Sequence, residues 1–341
     1  MNLYLTCLVA LLISNNVDGQ PSAELVSQKL LFIDPPFKNC HASTLVELED
    51  GKIMAAWFGG EYEGHKDVAI WSSIYFHKQW ASPQKIASGG GYPCWNPVLV
   101  KTKSKKIFLY YKVGNSPREW WGMMKSSGDD GVSWSPESKL PDGFLGPIKN
   151  KSVQLNDGSI LHPSSTESTS DNSWKIHVEK TDSLSANFSK TLIDCDTFGV
   201  IQPSILIYRD GRLQLLCRSR QNAIVQTWST DNGITWSRLT KLKVPNPNSG
   251  IDAVSLRSGL QVLVYNPGVA GPEWFNGRNR LKVAVSADGI KWDDIYYLEN
   301  KQSGEFSYPS VIETKDGLIH IIYTYDRKNL KHVVLKINTR K

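Results

Sequence analysis

One phrase returns along the whole chain: β-prone residues, an Asp-Gly turn, then more β-prone residues. It runs from His41 to Asp50-Gly51, from Lys149 to Asp157-Gly158, from Gln202 to Asp210-Gly211 and from Tyr308 to Asp316-Gly317. Looser copies begin at Trp95 and Asp252. Each copy reads as a hairpin. A second phrase follows the hairpins, as Ser127-Gly128-Asp129-Asp130-Gly131-Val132-Ser133-Trp134 and Ser229-Thr230-Asp231-Asn232-Gly233-Ile234-Thr235-Trp236, with a copy one residue shorter from Ser286 to Trp292. The physics is that of a self-sealing turn: Asp accepts from backbone amides, Gly takes the left-handed conformation and Trp packs beneath. The regions around Phe188 and Trp80 read as decayed copies. The anchors fall roughly every 50 residues, the period of a four-stranded blade. The expectation is an all-β chain folded as a six-bladed β-propeller, one domain over residues 22–341. Leu25 to Ile33 has no blade of its own and is expected to add a strand to the last one, closing the ring and removing exposed sheet edges. A β-sandwich is the alternative, and it does not account for so even a period.

With 341 residues, 40% of them apolar, the chain can bury a large core, and its charges are well mixed. The net charge of +6 suits an acidic partner but is too small and dispersed for nucleic acid. No basic run is interleaved with aromatics, as single-strand binding would require. Leu3 to Ile13 is a short apolar run followed by polar residues and Gly19, the pattern of a secretory signal over residues 1–19. That run is too short to span a bilayer, and no later stretch is long enough, so no membrane span is expected. Cys7 falls in the leader, leaving Cys40, Cys94, Cys195 and Cys217. Their spacing matches no zinc pattern, and a structural disulfide of undetermined pairing suits the secretory route. The histidines are scattered, so neither metal nor cofactor is expected. Asn150-Lys151-Ser152 and Asn187-Phe188-Ser189 are glycosylation sequons. Oligomeric state is not legible.

The Ser-x-Asp-x-Gly-x-Thr-Trp phrase resembles the Asp box, or BNR repeat, of sialidases, and the resemblance spans nearly the whole chain after the leader. Cys217-Arg218-Ser219 is similar to the segment carrying the second arginine of the sialidase substrate-carboxylate triad. Gly277-Arg278-Asn279-Arg280 is similar to the segment carrying the third. Phe306-Ser307-Tyr308-Pro309 resembles the segment of the tyrosine nucleophile. Glu63-Gly64-His65-Lys66-Asp67-Val68 resembles the loop of the general acid, which implies Glu63 in that role with Asp67 as rival. Two positions depart from the pattern. His41-Ala42-Ser43 stands where sialidases have Arg-Ile-Pro, and Gln202-Pro203 stands where they have the Glu that activates the tyrosine. The resemblance implies a secreted exo-glycosidase cleaving a terminal anionic sugar.

Propeller geometry groups the same residues independently, because inner-strand onsets converge on the axis, where a polar funnel suits sugars. Arg218 and Arg278 could fork onto one carboxylate, the alternative being surface salt bridges. Lys149 and Lys151 add positive potential there, or are solvated charges. Tyr308 is a nucleophile or proton donor, or a half-buried structural tyrosine. With Gln202 beside it, Asp252 or Glu63 would have to take its proton. His41 could instead abstract the proton α to a bound carboxylate, which is elimination from a uronic acid, or be a hydrogen-bonded channel histidine. Trp95, Trp120 and Trp121 are candidates for sugar stacking, the last two on a loop. Three readings stay open: an exo-glycosidase, a uronate lyase with His41 as base, and a non-catalytic carbohydrate-binding propeller.

Overall fold

The computed structural model describes residues 21–338. The signal assignment and Cys7 lie outside them. The β-prone runs form six antiparallel sheets, five of four strands and one of five, arranged as the blades of a β-propeller. The inner strands are Asn39–Glu47, Cys94–Lys101, Val153–Gln154, Val200–Ile207, Asp252–Ser255 and Phe306–Glu313, taken here as opening blades 1 to 6. Each pairs with the next strand across an Asp-Gly or related turn, as the repeated hairpins predict.

Ring closure follows the sequence expectation, with a shift of bounds. Ser22–Leu30 pairs antiparallel with Asn329–Asn338 and becomes the outer strand of blade 6. Ile33, expected in that strand, lies beyond it and is fully exposed. Apolar side chains pack between neighbouring blades. Leu99, Leu109 and Tyr111 of blade 2 meet Met54, Phe58 and Ile70 of blade 1, all essentially buried.

The expected disulfide is not formed. Cys40, Cys94, Cys195 and Cys217 are unbonded and buried. Each sits among apolar neighbours and serves as a small hydrophobic side chain. Burial pushes the Cys94 thiol up to about 12, far from a reactive thiolate.

Four inner strands share one irregularity. Register shifts fall between His41 and Thr44, Trp95 and Val98, Ile201 and Ser204, and Ser307 and Ser310. Within them Ala42, Asn96, Gln202 and Tyr308 take positive φ, from 35° to 53°. Three of these residues precede proline, which disfavours the right-handed helical region for them. The bulge turns each strand onset toward the axis. Register also shows that His41 precedes the turned residue by one, while Gln202 and Tyr308 are the turned residues themselves.

Candidate active site

Tyr308 and Gln202 are carried by equivalent bulges in blades 6 and 4. The Tyr308 ring lies against Gly250, where an added Cβ would approach the ring to 3.2 Å. Arg218, at the end of the second strand of blade 4, donates from Nη1 to Tyr308 Oη at 2.6 Å and to Gln202 Oε1 at 3.2 Å. Gln202 Nε2 donates to the same phenol oxygen at 3.4 Å. Two donors therefore converge on Tyr308 Oη, and the amide beside it cannot take a proton.

Asn248 links two arginines. Its Oδ1 accepts from Arg218 Nε at 2.8 Å, and its carbonyl accepts from Arg278 Nη2 at 3.5 Å. Arg278 also pairs with Glu305 at 3.0 Å and keeps its buried Nε without a partner. Glu305 holds a second guanidinium, Arg327, at 2.7 Å. Arg327 lies in the turn after the second strand of blade 6, and its carbonyl accepts from the Cys40 amide, beside His41. A guanidinium from blade 6 thus stands next to the position where sialidases carry the first-blade arginine. Trp274 lies over both, with its ring centre 5.1 Å from the Arg278 guanidinium carbon and 4.7 Å from that of Arg327. It is 57% exposed and forms part of the rim.

His41 is buried, with Nδ1 2.9 Å from Thr324 Oγ1 and Nε2 buried without a partner. Its ring centre is 4.1 Å from that of Tyr308. Burial, then Arg327, Arg278, Lys149 and Arg218, hold its pKa well below the ordinary imidazole range, so the ring is neutral.

Below Tyr308 the axis is filled. Lys149 Nζ donates to Asn150 Oδ1 at 2.9 Å, to the Ile251 carbonyl at 3.0 Å and to the Pro309 carbonyl. Burial lowers its pKa to about 7. Lys151 pairs with Asp252 at 2.6 Å. Asp252 accepts in addition from Ser204 Oγ at 2.8 Å and the Val311 amide at 2.9 Å. The expectation that Lys151 and Asp252 face a ligand gives way to a different role: they are locked into a plug joining blades 3 to 6. Asn150 is part of it, donating to the Gln202 and Pro203 carbonyls at 3.0 and 3.1 Å. At 2% exposure it is no accessible sequon, whereas Asn187 is exposed.

The remaining candidates separate. Glu63 lies on the loop between the second and third strands of blade 1 and ion-pairs with Arg327. Asp67 is held by His65 at 2.6 Å and by the Glu61 amide, within its own loop. Trp95 is 7% exposed, donates to the Gly114 carbonyl at 2.8 Å and supports Gly64 from below, so it offers no free face. Trp121 opens the third strand of blade 2 rather than lying on a loop, and it packs on Tyr92. Trp120 stays on the loop, half-buried.

Sequence reading missed Arg327, Glu305, Asn248, Trp274 and Glu167. Their signal was positional. Arg218, Glu167 and Arg327 lie at or just past the end of the second strand of blades 4, 3 and 6, all at one end of the propeller.

Comparison with solved structures supports the architecture. A protein of unknown function from Dyadobacter fermentans superposes with a TM-score of 0.77 at 14% identity, over 93% of this chain and 100% of that one. NanB sialidase of Streptococcus pneumoniae gives 0.73 at 13% identity, over 90% and 70% of the two chains. The leech intramolecular trans-sialidase gives 0.70 at 15%, over 92% and 70%. At such identities the likeness speaks to fold alone. No curated protein matches the sequence. The family model described as a BNR repeat-like domain matches residues 51–321, and the chain, a six-bladed propeller of the sialidase-like superfamily, belongs to that family.

Proposed function

We propose that the chain is a secreted enzyme that binds a glycan by a terminal anionic sugar and cleaves that sugar off by hydrolysis. The observation that carries this is charge. Arg218, Arg278 and Arg327 stand around Tyr308 and His41, and Glu305 and Glu63 are ion-paired with Arg278 and Arg327, leaving Arg218 without a carboxylate. Buried cations in excess of their counter-charges favour an anion, and guanidinium forks match a carboxylate. The leech relative is described in complex with 2,7-anhydro-Neu5Ac, a sugar acid, which agrees with this chemistry. In this reading Arg218 and Arg278 clamp the carboxylate and Tyr308 Oη faces the reacting carbon as nucleophile or stabiliser. The apolar run at residues 3–13 and the exposed Asn187 sequon support secretion.

A second reading, elimination from a uronic acid, is favoured by His41. It is neutral, its Nε2 is unpaired, and it packs on Tyr308. A bound carboxylate would offset the cations that depress its basicity, so a base would be switched on by the substrate's own charge. The test is to incubate the protein with sialylated or uronate-capped oligosaccharides, and with oligosaccharides whose uronate carries a sugar on O4, the leaving oxygen of an elimination, and to weigh the products. A total mass increased by one water indicates hydrolysis. An unsaturated product without added water indicates elimination. Binding without turnover, with Glu63→Gln and His41→Ala altering nothing but that binding, would leave the lectin-like reading.

A further inference from the structure

A cleft of about 250 Å³ opens between blades 2 and 3, lined by Arg118, Trp120, Trp121, Phe144, Thr166 and Glu167. Of the candidate carboxylates already placed, Glu63 and Glu305 are ion-paired with arginines, Asp67 is bonded to His65 and Asp252 is locked in the plug. Among the described residues Glu167 has no ion-pair partner. It ends the second strand of blade 3 and pairs across the sheet with Trp174. Trp174 in turn lies 5.5 Å from the Arg218 guanidinium carbon, and Arg218 hydrogen-bonds Tyr308. Trp174 thus links Glu167, which lines the cleft, to the arginine that touches the phenol.

A departing sugar oxygen needs a proton whether the bond breaks by hydrolysis or by elimination. Glu63 is engaged elsewhere, ion-paired with the Arg327 guanidinium. Burial raises the pKa of Glu167, against the pull of Arg218 first and then of Trp174, Arg118 and Arg220. A carboxyl whose protonated form is favoured by burial, set in a cleft with an aromatic wall, is a candidate general acid.

We propose that this cleft seats the leaving-group sugar, stacked on Trp120, and that Glu167 protonates the leaving oxygen. The inference rests on the anionic-sugar reading above. In the step, the Glu167 O–H bond breaks and its proton passes to the glycosidic oxygen. The C–O bond breaks and its electron pair goes to that oxygen. In the hydrolytic case water supplies the replacement oxygen at the sugar carbon and returns a proton to Glu167. The residual carboxylate is stabilised by Arg218.

The experiment compares matched substrates differing in the leaving group: 3′-sialyllactose against 4-methylumbelliferyl sialoside, and lactose-linked glucuronate against 4-methylumbelliferyl glucuronide. An umbelliferyl phenolate departs without help, whereas a sugar alkoxide does not. Glu167→Gln is expected to lower kcat on the oligosaccharide by about 10²-fold or more while changing the umbelliferyl rate less than about 5-fold. The alkaline fall of kcat/KM should disappear with it, because the acid must be protonated to act. Trp120→Ala is expected to raise KM for the oligosaccharide and leave that for the umbelliferyl substrate unchanged. Equal losses on both substrates, or full oligosaccharide activity in Glu167→Gln together with collapse in Glu63→Gln, would overturn the assignment. Absence of cleavage of all four substrates by wild-type protein would instead remove the anionic-sugar reading itself.

Discussion

The two ends of the propeller are built on opposite principles. At the end away from the site, the turns between third and fourth strands of blades 2, 4 and 5 repeat one set of bonds. Ser127, Ser229 and Ser286 donate to Asp129, Asp231 and Asp288 at 2.7, 2.8 and 3.0 Å. The same serine oxygens accept from Gly131, Gly233 and Gly289 at 2.9, 3.0 and 2.8 Å. Each turn makes this set of bonds within itself, and its glycine packs on the preceding blade. At the site end, equivalent positions hold different residues in every blade. Opposite Trp95, Ile201 and Ser307 on the inner strands stand Lys112, Arg218 and Thr324, and opposite His41 stands Phe58. Their bonds run between blades. Repetition marks what each blade needs to fold, and divergence at matched register marks what the assembled ring does.

This contrast can be broken by mutation. The largest effect is expected at the plug. Asp252→Ala strands Lys151 and the Val311 amide in a buried setting and should cost about 3–5 kcal/mol, read from chemical denaturation. A ligand-facing Asp252 would instead lower affinity and leave stability intact. Next comes Arg218→Met, which should reduce kcat/KM for an anionic glycan by roughly 10²–10³-fold with little change in the melting midpoint. Equal loss on a neutral glycan would show that Arg218 does not read the carboxylate. At the other end, Ser229→Ala removes bonds to Asp231 and Gly233 and should cost about 1–3 kcal/mol of stability. Its kcat should be unchanged, and a change would tie the two ends together.

A pH-dependent test concerns Lys112, which occupies in blade 2 the register of Arg218. Burial lowers its pKa to about 7, whereas the unfolded chain keeps it near 10.4. Between these values the unfolded state binds more protons, so stability rises with pH across this window and is lost as pH falls toward 7. Its contribution to the slope is at most about 1.4 kcal/mol per pH unit. Lys112→Met should flatten stability against pH over that range, and an unchanged slope would mean that Lys112 stays charged when buried.

The sequence was most informative where the physics is local. Strand, turn and Asp box each depend on residues a few positions apart, so Ser229, Asp231, Gly233 and Trp236 announce themselves. Tyr308, Arg218 and Arg278 were legible by resemblance, and the structure gathers them. Arg327 and Glu305 were not, because neither belongs to a local pattern: they meet through a turn and a strand onset of blade 6. Lys151 and Asp252 look like free charges in sequence, since their pairing spans 101 residues.

By itself, then, the sequence determined the period, the hairpins, the self-sealing turns and the closing strand, because short-range hydrogen bonding and β patterning suffice for them. Only the tertiary structure decided which charges meet. Whether a lysine plugs the axis, or which way a glutamate's pKa moves, depends on burial and on neighbours from other blades, and those are set when the ring closes.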